Sequence, residues 1–203
     1  MENLYNDDDL LAHLDGIEPL GDLFRSLLPV HMESVEGPFE DNVIKLKQGD
    51  ISEIAYWMPR GYGRAYIQVP GKFPDEVKEE TINFWKKGLV VVKDSFFKRQ
   101  ASVHYLEIAK NSVIRGITYE NLQVMKARTK EANELIGKIL AEDYAEIFYR
   151  AKLLRMPCKG RYDLFLSDFD AKIEQYFDLR HIASYLGMDP TTLAILRSGG
   201  RGK

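Results

Sequence analysis

Residues able to contact a polyanion share one recognisable spacing near the C-terminus, in the stretch Leu179-Arg-His-Ile-Ala-Ser-Tyr-Leu-Gly-Met-Asp-Pro-Thr-Thr-Leu-Ala-Ile-Leu-Arg197. Two helices that cross closely need a small side chain at the crossing, and Ala183 supplies it. They also need a sharp turn, for which Gly187 carries no Cβ penalty. Asp189 is placed to cap a second helix, and Pro190 suits its first turn, where a missing N–H costs nothing. Ile182, Leu186, Met188, Leu193 and Leu196 then fall on one apolar side. This is the template of a helix–turn–helix, which lays its second helix in the major groove of DNA; an ordinary αα-hairpin is the competing reading.

The polar side of the second helix is unusual. Pro190, Thr191, Thr192, Ala194, Ile195, Arg197 and Ser198 face outward, and only Arg197 is a strong reader of base edges. Thr191 and Thr192 suit phosphates or bases, and Ala194 or Ile195 suits thymine methyls. From Leu179 onward Arg180, Arg197, Arg201 and Lys203 oppose one acid, Asp189, on a chain whose formal net charge is -3. A nucleic-acid contact must therefore be local, and the residues expected to make it are Arg180, His181, Thr191, Thr192, Ile195, Arg197 and Arg201.

Other chemistry finds little support. Cys158 is the single cysteine, which excludes an internal disulfide or a four-cysteine metal site, and His13, His31, His104 and His181 are scattered without ligand spacing. Asp7-Asp8-Asp9 reads as an acidic helix start. No nucleophile–base pairing, phosphate loop or GxGxxG is present, and Gly61-Tyr62-Gly63 reads as a hairpin turn. The expectation is a protein that is not an enzyme and carries no cofactor. The N-terminus has no basic and apolar leader, and no apolar run approaches the roughly 20 residues of a membrane helix. A cytoplasmic protein without membrane contact is expected.

These side chains need a scaffold, and 203 residues with 45% hydrophobic content suffice for one large or two small domains. Leucines at helical spacings across residues 9–28, broken by Gly16, Pro19 and Gly21, predict two short helices. Residues 30–117 are rich in β-branched and aromatic types, with candidate strands at Asn42–Lys47, Ile51–Met58, Tyr62–Gln68, Thr81–Trp85, Leu89–Val92 and Ser102–Ala109. Short, regularly punctuated strands predict an antiparallel roll or sandwich. From Tyr119 to about Arg155 the spacing of Leu122, Met125, Thr129, Ala132, Ile136, Ile139, Asp143, Ile147 and Leu154 predicts one long helix. A second copy of the chain is its simplest cover, and packing lengthwise on its own sheet is the alternative. Pro157 ends that helix as a hinge.

The order of roll, long helix, hinge and helix–turn–helix resembles the Crp/Fnr family of bacterial transcription regulators. The segments Arg161-Tyr-Asp-Leu-Phe-Leu-Ser-Asp-Phe169 and Leu179–Arg197 are similar to its short, wingless branch. The resemblance covers about residues 10 to 198, and the last 40 or so carry its specific motif. It implies an α+β fold: a helical lead-in and cyclic-nucleotide-binding-like jelly roll over 1–117, a dimerisation helix over 118–156 and a helix–turn–helix domain over 157–203. It further implies a homodimer on double-stranded DNA, with a small-molecule effector in the roll. Two departures stand out. The family's base-reading Arg, Glu and Arg fall here on Pro190, Thr191 and Ile195. Arg99-Gln100-Ala101-Ser102 resembles the phosphate half of the cyclic-nucleotide cassette, but Leu89, following Gly88, stands where its ribose-binding glutamate belongs. An unpaired ribose hydroxyl would cost about 1–3 kcal/mol, which argues against cyclic AMP. Gly88, Arg99 and Ser102 remain candidates for another anion, and a solvated or salt-bridged strand-edge arginine is the equal alternative for Arg99. Phe73, Phe84, Trp85, Phe96, Phe97 and Tyr105 suit a less polar effector, with a plain core role as the commoner reading of such aromatics. A degenerate relative acting through protein or small-molecule contacts is the alternative function.

Overall fold

In the computed structural model, residues 7–199 are described, apart from 72 and 74. Strands β1 (Val43–Leu46), β6 (Tyr105–Ile108), β3 (Gly63–Pro70) and β4 (Val77–Trp85) form one antiparallel sheet in that order. Strands β5 (Gly88–Val90), β2 (Ile54–Arg60) and β7 (Val113–Thr118) form the second. Side chains alternate across a strand, so each apolar run serves two faces. On β2, Tyr56 and Met58 turn inward to Val90, Leu106, Ile108 and Ile114, while Ala55 and Trp57 belong to apolar clusters beneath the helices.

The α+β roll expected from the sequence is present, with three differences. Gly61-Tyr62-Gly63 joins β2 to β3, which lie in different sheets, so it is a crossover and not a hairpin. A short helix, α3 (Lys93–Lys98), interrupts the later strands, and β7 follows where no strand was expected. Arg115 and Gly116 break the apolar alternation of β7. Gly116 is there because a Cβ would lie 2.4 Å from Ile54 Cγ2 on the paired strand.

Two short N-terminal helices, α1 (Asp7–Ile17) and α2 (Asp22–His31), cover the outer face of the three-stranded sheet. Arg115 fastens them: its Nε donates to Glu33 O (2.7 Å), its Nη2 to Pro29 O (3.0 Å), and its Nη1 pairs with Asp7. The predicted single helix over 118–156 is instead two, α4 (Tyr119–Arg128) and α5 (Lys130–Leu154). Thr129 breaks it in an extended conformation, with its hydroxyl donating to Met125 O at 2.9 Å. A β-branched residue whose hydroxyl satisfies the preceding turn offers the backbone an alternative to continuing. The first half of the periodic stripe packs on the chain itself, since Met125 and Ala132, with Leu135 beside them, are buried against α1, α2 and the sheet, and Ile139 is buried as well. The second half does not: Ile147 is 66% and Phe148 78% exposed.

Pro157 caps α6 (Cys158–Phe169), which is followed by a 3-10 turn (Ala171–Gln175), α7 (Leu179–Tyr185) and α8 (Pro190–Gly199). One apolar core joins this end to the roll. Phe84 of β4 sits among Phe165, Phe169, Phe177 and Tyr185, with ring centroids 5.1–6.0 Å away. Thr81 N also donates to Ser184 Oγ across the same junction, at 3.0 Å. Among the described residues no helix is long and apolar enough to cross a membrane.

Candidate nucleic-acid interface

The turn between α7 and α8 is built as a helix stop. Gly187 adopts φ +59°, Met188 N donates to Ala183 O (3.0 Å) and Gly187 N to Ser184 O (3.1 Å), the paired bonds of a Schellman motif. Arg161 Nη1 donates to the carbonyl of Gly187 at 2.9 Å and fastens the turn to α6. Asp189 Oδ1 accepts from Thr191 N at 2.8 Å, capping α8. Ile182, Ala183, Leu186 and Leu193 are fully buried. The apolar side read from the sequence thus forms the crossing of the two helices.

The seven residues expected to contact DNA separate into groups. Thr191 is exposed, Thr192 is half-buried and Ile195 is 65% exposed, all on α8. Arg180 is exposed at the start of α7, 3.2 Å from Asp178. Arg197 lies on α8 but its Nε is 2.7 Å from Glu174 Oε2, so its charge is shared with the 3-10 turn. Arg201 lies outside the described residues. His181 is the correction. Its side chain is turned into the junction with the roll, Nε2 3.2 Å from Glu79, and is only 12% exposed.

Burial, reinforced by the nearby Arg64 cation, pushes the His181 pKa down to about 4. The imidazole is therefore neutral near pH 7, and its approach to Glu79 is a polar contact without a formal ion pair. The folded state binds fewer protons than the unfolded one between pH 4 and 6.5, so the stability associated with neutral His181 is present above pH 6.5 and lost as pH falls toward 4. We expect that acid loss to reach about 1–3 kcal/mol and to shrink in His181→Asn. Urea denaturation of both proteins at pH 7.5 and 4.5 checks it; equal acid losses would contradict the placement.

The candidate ligand residues Gly88, Arg99 and Ser102 do not form an open anion cradle. Arg99 ends α3 in a left-handed conformation (φ +57°), and its guanidinium lies 4.3 Å from the Tyr119 ring centroid, donates to Ser52 O at 2.7 Å and pairs with Glu53. Ser102 is buried, its hydroxyl donating to His104 O and accepting from His104 N. Gly88 opens β5 opposite Met58. The six aromatics also divide: Phe84 joins the core under α7, Phe96 and Phe97 lie beneath α4, Tyr105 stacks on Tyr66, Trp85 packs on the roll interior and Phe73 is exposed.

The sequence reading missed the polar joint beside His181. Arg64, 1% exposed, donates Nε to Glu107 (2.7 Å) and Nη2 to Glu79 (2.8 Å), with its guanidinium 4.2 Å from the Tyr66 ring centroid. A cation among Gly63, Ala65, Tyr66 and Ile67 was the available signal, because a buried arginine requires partners. Among the described residues no group of three or more His, Cys, Asp or Glu is placed to hold a metal ion.

A β-roll followed by helices and a fastened helix–turn–helix is the fold of Crp/Fnr-type transcription regulators, and comparison with solved structures bears this out. FixK2 from Bradyrhizobium japonicum superposes with a TM-score of 0.62 at 14% identity, covering 79% of this chain and 81% of its own. The c-di-GMP responsive global regulator CLP of Xanthomonas campestris gives 0.63 at 14% identity, covering 89% and 92%. A chain described as a Crp/Fnr-family transcriptional regulator from Eubacterium rectale gives 0.64 at 13% identity, covering 96% and 86%. No protein-family model matches the chain, and no curated protein matches it in sequence.

Proposed function

We propose that the chain is a homodimeric, DNA-binding transcription regulator of the Crp/Fnr type, acting in the cytoplasm, without enzymatic activity, with a sensor roll over 1–117, a dimerising segment over 118–156 and a DNA reader over 157–203. The observation that carries this reading is α8 itself: capped by Asp189, set by the Gly187 turn and presenting Thr191 and Ile195 to solvent. Dimerisation is supported by the exposed Ile147 and Phe148 on α5. A dimer that reads two half-sites must hold its two α8 copies about 34 Å apart, one turn of DNA. Cyclic AMP is not the expected effector, because Leu89 offers no acceptor and Arg99 is already held by Glu53 and Tyr119.

Fluorescence anisotropy against duplex DNA from upstream of the chain's own operon, over a salt series, tests the proposal. Binding should weaken linearly in log–log form with salt. Arg180→Ala should weaken it on all sequences and reduce the salt slope by about 1 per contact removed. No binding even at about 50 mM salt would end the proposal. A second reading, recognition of a protein by the apolar patch at Ile195, is favoured by that residue's 65% exposure. It fails if wild type binds DNA tightly while Ile195→Arg leaves every protein contact unchanged.

A further inference from the structure

A cavity of about 80 Å³ lies against the outer face of the β5–β2–β7 sheet, roofed by α1, α2, α4 and α5. Its walls include Leu14, Phe24, Val91, Ile117, Met125 and Leu135, and among the described residues no charged side chain lines it. It is separate from the roll interior. Trp57 and Leu89, paired across β2 and β5, face it, whereas Met58 and Val90 turn to the other side of the same sheet. Close-packed interiors hold few voids larger than a water, and an apolar one of this size favours an apolar guest over water.

Trp57 forms part of the wall through its ring, 2% exposed; its indole N–H is buried and does not open onto the cavity. We propose that this cavity binds a small, uncharged molecule that is apolar throughout. Charged nucleotides are excluded from it, since nothing in the lining neutralises an anion. Ala132, Leu135 and Ile139 of α5 form one wall, and the same helix runs on past the exposed Phe148 to Leu154, just before α6. Occupancy therefore braces the helix that leads to the reader. This consequence at DNA rests on the proposed function above; binding in the cavity does not.

The full chain is titrated with pentan-2-one and with n-pentane, followed by calorimetry and saturation-transfer NMR. Wild type should bind n-pentane, and pentan-2-one more weakly, because its carbonyl leaves water for an apolar wall. Ala132→Leu, which fills the wall, should bind neither, with Val91→Phe as the second filling variant should the first not fold. Failure of wild type to bind n-pentane, tighter binding of the ketone, or full binding in a folded filling variant overturns the proposal. Anisotropy on DNA separates the two claims. Ligand binding without any DNA binding leaves the cavity and removes the regulator, whereas DNA binding without ligand does the reverse.

Discussion

Phe84→Ala should lower the stability of the chain by about 3–5 kcal/mol, the range for truncating a fully buried phenylalanine. Phe84 is 3% exposed, and its ring meets Phe177, Phe165, Tyr185 and Phe169 edge-on or tilted. Those partners belong to α6, α7 and the segment between them, while Phe84 belongs to β4. The cavity left behind cannot close by moving one element, because both sides of it are fixed by other bonds: Thr81 to Ser184, and Arg64 to Glu79 and Glu107. Partial collapse is what sets the upper end of such losses. Urea denaturation by far-UV circular dichroism measures the effect. Phe84→Leu, which keeps most of the volume, should cost less than about 1.5 kcal/mol. A loss below about 1 kcal/mol for the alanine variant would mean that the roll and the reader are not welded through this ring.

Gly187→Val should damage the reader more selectively. A β-branched residue at φ +59° carries about 1–3 kcal/mol of backbone strain. Its Cβ would also lie 2.9 Å from Leu154 Cδ2 and 3.2 Å from Arg161 Nη1. The turn relieves this by opening, which costs the Met188–Ala183 and Gly187–Ser184 bonds and tilts α8 out of its seat. Each 1.4 kcal/mol so relieved lowers the competent fraction, and hence the DNA affinity, about tenfold. Gly187→Asn, which tolerates the left-handed region, should keep most of the binding. Anisotropy on the same duplex checks both variants, and wild-type affinity in Gly187→Val would contradict the role assigned to the turn.

The helix pair was legible because its signals are local. Ala183, Gly187, Asp189 and Pro190 each answer a steric or capping need within a few residues, and all were read in their right places. The roll was legible as a class for a similar reason, since short β-branched runs between Gly and Pro impose strands whatever lies beyond them. What depended on distant partners was not. Thr129 looked like one more position in a periodic stripe, and only its bond to Met125 together with the packing of α4 and α5 on α1 and α2 makes it a break. His181 looked like a cation near DNA because nothing in its neighbourhood along the chain announces β4, a hundred residues earlier, as its cover. Arg99 failed the same way: the four-residue cassette was visible, but Glu53 and Tyr119, which claim its guanidinium, come from two other elements. The outer face of α8 carried little information in either view, since Thr191 and Ile195 are modest readers of bases wherever they sit.

Selection of purified full-length chain on a library of random duplex DNA, at about 100 mM salt and again at about 50 mM, tests the central claim most directly. A homodimeric reader with two α8 copies one helical turn apart should enrich an inverted repeat whose half-sites are centred about 10 base pairs apart. Enrichment of no motif at either salt concentration would contradict the account.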